Sequence, residues 1–281
     1  MMLLLFLWQT LRIAAPYLLA AAGGVVAERA GVVSLTLESF LLSGAFGAVA
    51  ASHWGQSAWI GVLGGLGAGL FFGALHALAT VRFKADQIVS GVALNLLAVG
   101  LTRFLLQMGF DSSSNSPRVP GFEGLGHPLL WLGLLIMPVL AWTLAHTRYG
   151  LRLRAVGEHP QAAESLGISV AKVRWVAVLA SGGLAGLGGA FLSLDQHQFT
   201  DQMSAGRGFI ALAAVISGRW QPMRAGVACL LFAAAETLQI QLQAAAAIPT
   251  QFLAMIPYAL TLIAVAGVVG RSRPPAALGR A

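Results

Sequence analysis

Residues 57–80 read SAWIGVLGGLGAGLFFGALHALAT, an apolar run whose length suits a helix crossing a lipid bilayer. Such a helix needs about 20 apolar residues to cover a hydrocarbon layer about 30 Å thick. Gly61, Gly65, Gly69 and Gly73 recur every four residues, so they share one helix face on which another backbone can approach closely. The pattern predicts a packing ridge. A phosphate cradle would require a strand-to-helix turn with basic or hydroxyl groups, whereas this glycine run is wholly apolar.

Working outward, similar runs lie at 5–27, 34–52, 87–109, 128–146, 174–194, 206–218, 222–242 and 250–270. Together they predict an all-α fold, a polytopic transmembrane bundle of about nine helices, with eight to ten as the range. Gly182 and Gly186, in SGGLAGLGGAFLSL at 181–194, carry the same close-packing signal. Composition agrees: of 281 residues, 57% are hydrophobic and 10% charged, with mean hydropathy +0.78. Soluble domains carry about a quarter charged residues, so lipid is the expected solvent and residues 1–281 form a single membrane domain. Met1–Leu11 has no basic n-region, and Arg12 and Pro16 interrupt the apolar stretch, so this segment is expected to be retained in the membrane.

The formal charge of +7 forms no basic arm or stripe, which argues against nucleic acid as a partner. Topology accounts for it instead. Alternating the helices puts Arg29, Arg82, Lys84, Arg148, Arg152, Arg154, Lys172, Arg174, Arg219, Arg224, Arg271, Arg273 and Arg280 on one face, expected to be cytoplasmic, and leaves Arg118 and Arg207 in loops on the other. The C-terminus is then inside. The loop 111–127, rich in Ser, Pro and Gly, faces outside, either as a contact for an external partner or as a solvated connection.

Enzyme chemistry has no foothold. The only lysines, Lys84 and Lys172, come directly after Phe83 and Ala171, so there is no Gly-Lys-Ser/Thr phosphate loop and any ATP must be used by a partner. Cys229 stands alone, and the six histidines lack metal-ligand spacing, so no metal, cofactor or nucleophile–base pair is expected in this chain.

Polar residues inside apolar runs are more informative, because a carboxylate at membrane depth is costly unless protonated, paired or hydrated. The stretch ERAGVVSLTLES at 28–39 holds Glu28, Arg29 and Glu38 and is expected to be buried or to line a cavity. Ser34, Glu38, Ser39, Asn95 and Glu236 are the candidate pathway residues, with weaker claims for His76, Gln107 and Gln239. Glu38 and Glu236 have structural readings too, as a partner for backbone groups at a broken helix and as one half of an interhelical pair.

The segment 147–174, TRYGLRLRAVGEHPQAAESLGISVAKVR, separates two apolar runs. Pro160 suits a first helical position and Gly167 a helix stop, predicting a short helix between flanking basic residues. It reads equally as a docking knob or as an amphipathic connector on the membrane surface.

Five stretches resemble one known family: GGVVAERAGVVSLTLESFLLSGAF at 23–46, KADQIVSGVALNLLAVGLTRF at 84–104, TRYGLRLRAVGEHPQAAESLGIS at 147–169, SGGLAGLGGAFLSL at 181–194 and AGRGFIALAAVISGRWQP at 205–222. They are similar to permeases of the branched-chain amino acid, ribose and nucleoside class of ABC importers, with the nucleoside branch nearest. The resemblance implies that Glu158, His159, Pro160, Gln161, Ala162, Ala163, Glu164, Ser165, Leu166 and Gly167 form a coupling helix seated in a cleft of the ATPase. It further implies a second, homologous but different permease, an external substrate-binding lipoprotein, ATP used by the partner subunit, and a bacterial inner membrane. Ser34 and Ser39 depart from the Asn and Gly usual in a segment resembling GVVNIGLEG, while Glu38 is retained. The implied cargo is a nucleoside; a sugar or branched-chain amino acid, or a proton-coupled secondary transporter built on Glu38 and Glu236, are the alternatives.

Overall fold

The computed structural model describes residues 2–245, 255, 259 and 273–280. Among them are ten α-helices: α1 Met2–Arg29, α2 Leu37–Gly55, α3 Ala58–Ala77, α4 Gln87–Phe110, α5 Pro128–His146, α6 Arg148–Glu158, α7 Pro160–Ser165, α8 Val170–Asp195, α9 Arg207–Ser217 and α10 Pro222–Ala245. A π-helical turn, Leu78–Arg82, prolongs α3, and the one β contact among the described residues is an isolated bridge between Asn115 and Thr200. The expected range of eight to ten helices accommodates this count. The run at 250–270 lies outside the described residues.

Six of these helices, α1, α3 with its extension, α4, α5, α8 and α10, are long and apolar enough to cross a membrane. Their outward faces carry bare aliphatic and aromatic side chains such as Leu63, Phe71, Leu96, Phe104 and Trp142. That is the surface a lipid solvent selects. α2 differs in being buried nearly all round, wrapped by α3, α8, α4 and α9.

The glycine ridge makes this close packing possible. A methyl group on Gly69 would lie 2.2 Å from the Gly182 carbonyl oxygen, and one on Gly186 2.6 Å from that of Gly65. α3 and α8 therefore meet backbone to backbone, as the spacing predicts, and Gly44 brings α2 against the same stretch of α8.

Helix bounds shift by a few residues from expectation, and two starts and one additional helix have a visible cause. α2 starts at Leu37 rather than 34: residues 35–36 form a turn closed by Leu37 N–H to Ser34 O (3.3 Å), and the first helical bond runs from Phe40 N–H to Thr36 O (3.1 Å), while the N–H groups of Val33 and Ser34 are held by the side chains of Gln87 (2.7 Å) and Glu28 (3.1 Å). α8 starts four residues early, its Lys172 N–H bonded to the Ser169 hydroxyl. α6 has no counterpart in the expected helices: Thr147 caps it by accepting from Gly150 N–H, and its arginine-rich sequence has the polarity of a surface helix.

The bundle has a basic end. The Gly157 α-carbon abuts the Arg29 carbonyl oxygen, Ala277 N–H donates to Gly157 O at 2.9 Å, and Lys84, Arg174 and Arg280 line one cavity there. At the opposite end, Ser116 and Val119 bond to Phe199 and His197, and Arg12 pairs with Asp195 at 2.7 Å. Arg207 lines a cavity on that side with Arg12 and Asp195, but it opens α9 rather than standing in a loop, and its side chain is turned toward α10. α9 has 11 residues, about 16 Å, so it is too short to cross and must begin inside the molecule.

Candidate functional site

Two helices begin in the interior, and their starts meet. After α1 ends at Arg29 the chain turns at Gly31, re-enters through the irregular stretch 32–34, and opens α2 at Leu37. α9 begins beside it: a methyl group on Gly208 would lie 2.4 Å from the Glu38 nitrogen. The Glu38 carboxylate closes this junction, accepting from the Ser204 hydroxyl (2.6 Å), Gly206 N–H (2.9 Å) and Gly208 N–H (2.7 Å). Those backbone N–H groups have no helical acceptor, and a carboxylate suits the positive end of a helix.

The other candidates sort around it. Ser34 is buried, its hydroxyl directed to Gly24 O and its N–H to Glu28. Ser39 is buried, its hydroxyl donating to Thr36 O at 2.7 Å. Asn95, from α4, clamps the re-entrant stretch at two points, accepting from Ser39 N–H and donating to Leu35 O, both at 3.0 Å. Glu236 sits apart on α10, paired with Arg207 at 2.9 Å and accepting from the Tyr17 hydroxyl. The two carboxylates thus hold the first turn of α9, Glu38 through the backbone and Glu236 through Arg207. His76 bonds Ser90 at 3.0 Å, and Gln107 is exposed on α4.

Tyr17, Arg207, Gln87 and Trp220 belong to this framework and were not among the sequence candidates. Trp220 donates its indole N–H to Glu28, while its carbonyl accepts from Arg29 at 2.8 Å. Only the charge of Arg207 between apolar runs offered a signal; the others are unremarkable in sequence.

The second site is α7. Pro160 is its first residue, and Gly167, at φ +78°, ends it: Gly167 N–H returns to Glu164 O at 2.9 Å and Ile168 N–H to Ala163 O at 3.0 Å. Ala163 faces the body at 2% exposure and Pro160 is half-buried. Glu158, His159, Gln161, Ala162, Glu164, Ser165, Leu166 and Gly167 are exposed, Leu166 to 81%. α7 is a solvent-facing prominence with a rigid stop.

Residues 6–265 match the family model described as branched-chain amino acid transport system / permease component. The chain belongs to that permease family. It is 38% identical to the guanosine ABC transporter permease protein NupQ of Bacillus subtilis, over 96% of this chain and 93% of that one. It is 38% identical to the nucleoside ABC transporter permease protein NupC of Lactococcus lactis, over 94% and 92%. Bacillus subtilis also holds NupP, a guanosine ABC transporter permease protein 25% identical over 76% of this chain and 67% of that one. Among solved structures, an inward-facing metal-chelate type ABC transporter shares the fold, with TM-score 0.55 at 19% identity over 94% of this chain and 85% of that one. The permease is a multi-pass membrane protein and a transport component rather than an enzyme.

Proposed function

We propose that this permease moves a nucleoside inward across a bacterial inner membrane, as one of two different permease subunits driven by a partner ATPase and supplied by an external binding lipoprotein. The cargo is inferred from the nucleoside and guanosine permeases it resembles over nearly their whole length. A pair of unlike permeases is inferred from the presence of NupQ and NupP in one organism. The basic end is cytoplasmic, and the C-terminal residues 273–280 lie there with α7.

The observation that carries the mechanism is α7. A chain without a phosphate loop must receive the work of ATP hydrolysis through a surface, and α7 offers a capped, projecting one ending in a bare Leu166. Glu158–Gly167 is the ATPase contact, Leu166 supplying apolar burial and Glu164 a polar rim. No covalent chemistry occurs in this chain; solute passes by alternating access.

The junction of α2 and α9 is the part that shapes the pathway, in the manner of discontinuous helices whose ends meet inside a transporter. Glu38, Asn95, Ser34 and Ser39 hold its geometry, and Glu236 fixes α9 from the other side. A proton-coupled transporter would have both carboxylates release their donors in every cycle. The donors here are instead those of a helix anchor and an ion pair.

The test reconstitutes the assembly with its ATPase and measures nucleoside uptake into vesicles. ATP-dependent uptake of a labelled nucleoside is expected. Uptake by this chain alone under a pH gradient would overturn the proposal.

A further inference from the structure

We propose that the C-terminal segment 273–280 is a strap that ties the coupling segment to the re-entrant break between α1 and α2, so that movement of α7 reaches the α2–α9 junction. This rests on reading α7 as the ATPase contact. The segment is a turn closed on itself by Leu278 N–H to Pro275 O (3.0 Å) and Arg280 N–H to Ala277 O (3.1 Å). From that turn, Ala277 N–H donates to Gly157 O at 2.9 Å, Gly279 N–H to Gly31 O at 3.2 Å, and Ala276 N–H reaches the Glu158 carboxylate at 3.4 Å. One side of the strap therefore holds the end of α6 and the other the turn after α1. Ala277, at 2% exposure, sits between them.

The fit leaves no slack. Gly31 adopts φ +91°, and a methyl group there would lie 3.1 Å from Ala277 O and 3.2 Å from the Arg174 guanidinium. Arg174 also donates to Ala30 O at 3.3 Å, which brings the start of α8 into the same knot. A methyl group on Gly157 would lie 2.0 Å from Arg29 O.

Mechanically, a single residue, His159, joins α6 to α7, so a push on α7 arrives at Glu158 and Gly157. The strap passes it to Gly31. Three residues later Ser34 hangs on Glu28, and four beyond that Glu38 grips α9. Beside α7 lies a cavity of about 630 Å³, with the strap, the end of α3 and the first turn of α8 as its other walls. α7 thus has room to move while Ala163 holds it to the body and the strap holds the end of α6.

The decisive experiment deletes residues 275–281 in the complete assembly and measures ATPase association, hydrolysis and nucleoside uptake in vesicles. Association is expected to persist while the ATP consumed per nucleoside rises about tenfold, the scale of a typical intersite coupling. Ala277→Pro, which removes the N–H to Gly157 in a full-length chain, is expected to act in the same direction and decides the question if the deletion does not fold. An unchanged ATP-to-nucleoside ratio in the folded variants would overturn the strap. Loss of association would also overturn it, making the segment part of the docking surface. Failure of the unsubstituted chain to bind an ATPase would instead defeat the reading of α7.

Discussion

Glu38 and His127 are where single side chains decide most. Replacing Glu38 with Gln turns one acceptor oxygen into a donor facing N–H and O–H groups, so at least one of the three bonds around α9 is lost. A buried donor left unmet costs about 1–3 kcal/mol. Uptake by Glu38→Gln is expected to fall severalfold with ATPase association retained; normal uptake kinetics would remove Glu38 from the pathway framework. His127 precedes α5 and packs its ring 4.4 Å from Phe191 and 5.1 Å from Phe122. Burial pulls its pKa down from the usual 6.5 to about 4, with Asp195 opposing and Arg12 and His197 assisting the shift. The folded state therefore favours neutral imidazole, so this contribution to stability is complete above pH 6.5 and is lost as pH falls toward 4. Thermal unfolding at about pH 7 and about pH 5 measures it, and His127→Leu is expected to lose less stability between the two than the unsubstituted protein. Equal losses would contradict the assignment.

Among the helices, the α3–α8 contact and α7 stand at opposite extremes. A side chain at Gly69 would strike the backbone of Gly182 and Gly186, neither of which can yield as a side-chain tip can. Overpacking costs about 1–3 kcal/mol even where side chains can adjust. Gly69→Leu is expected to abolish folded protein in detergent, whereas Gly67→Ala, with nothing within 4 Å of the added methyl group, is expected to keep the yield and a melting temperature at least as high, since alanine favours helix over glycine. Size-exclusion profiles of the two distinguish a packing face from a run of small residues. α7 is the reverse case, a helix of six residues too short to be stable alone and held by its neighbours. Replacing Glu164 and Leu166 together is expected to leave the fold intact while weakening ATPase association or uncoupling solute-stimulated hydrolysis from uptake. If association, hydrolysis and uptake all match the unsubstituted assembly, α7 is a passive connector.

At the scale of the whole molecule, the basic residues gather at the end that carries α6, α7 and residues 273–280. On the positive-inside bias we propose that this end is cytoplasmic. In a Cys229→Ala background, a cysteine at the exposed position Gln161 is expected to react with an impermeant thiol reagent only after the membrane is opened. A cysteine at exposed Ser113, in the loop joined to residue 201 at the opposite end, is expected to react in intact cells. Labelling of the Gln161 position from outside would invert the topology and remove α7 from any cytoplasmic ATPase.

The all-helical membrane class, most of the helices, the glycine ridge and both ends of α7 were legible because each rests on local rules. Apolar length sets a span, small residues at every fourth position set a close face, and Pro160 and Gly167 punctuate a short helix. α6 escaped because a mostly polar helix leaves no apolar run. The start of α2 was misread for a different reason: the chain makes a turn at 35–36 while Gln87, 54 residues from Val33 and unmarked by anything local, holds the Val33 N–H. The sequence likewise marked Glu38 and Glu236 as costly charges and offered the kind of partner that each has, backbone groups at a broken helix and an interhelical pair, yet could not say which residues supply them. Only the tertiary structure brings Ser204, Gly206 and Gly208 onto the first and Arg207 and Tyr17 onto the second. Residues 273–280 make the contrast plain: Arg273 and Arg280 indicate only which end of the bundle the tail joins, whereas its place between Gly157 and Gly31 is decided by backbone N–H and C=O groups that nearly every residue possesses.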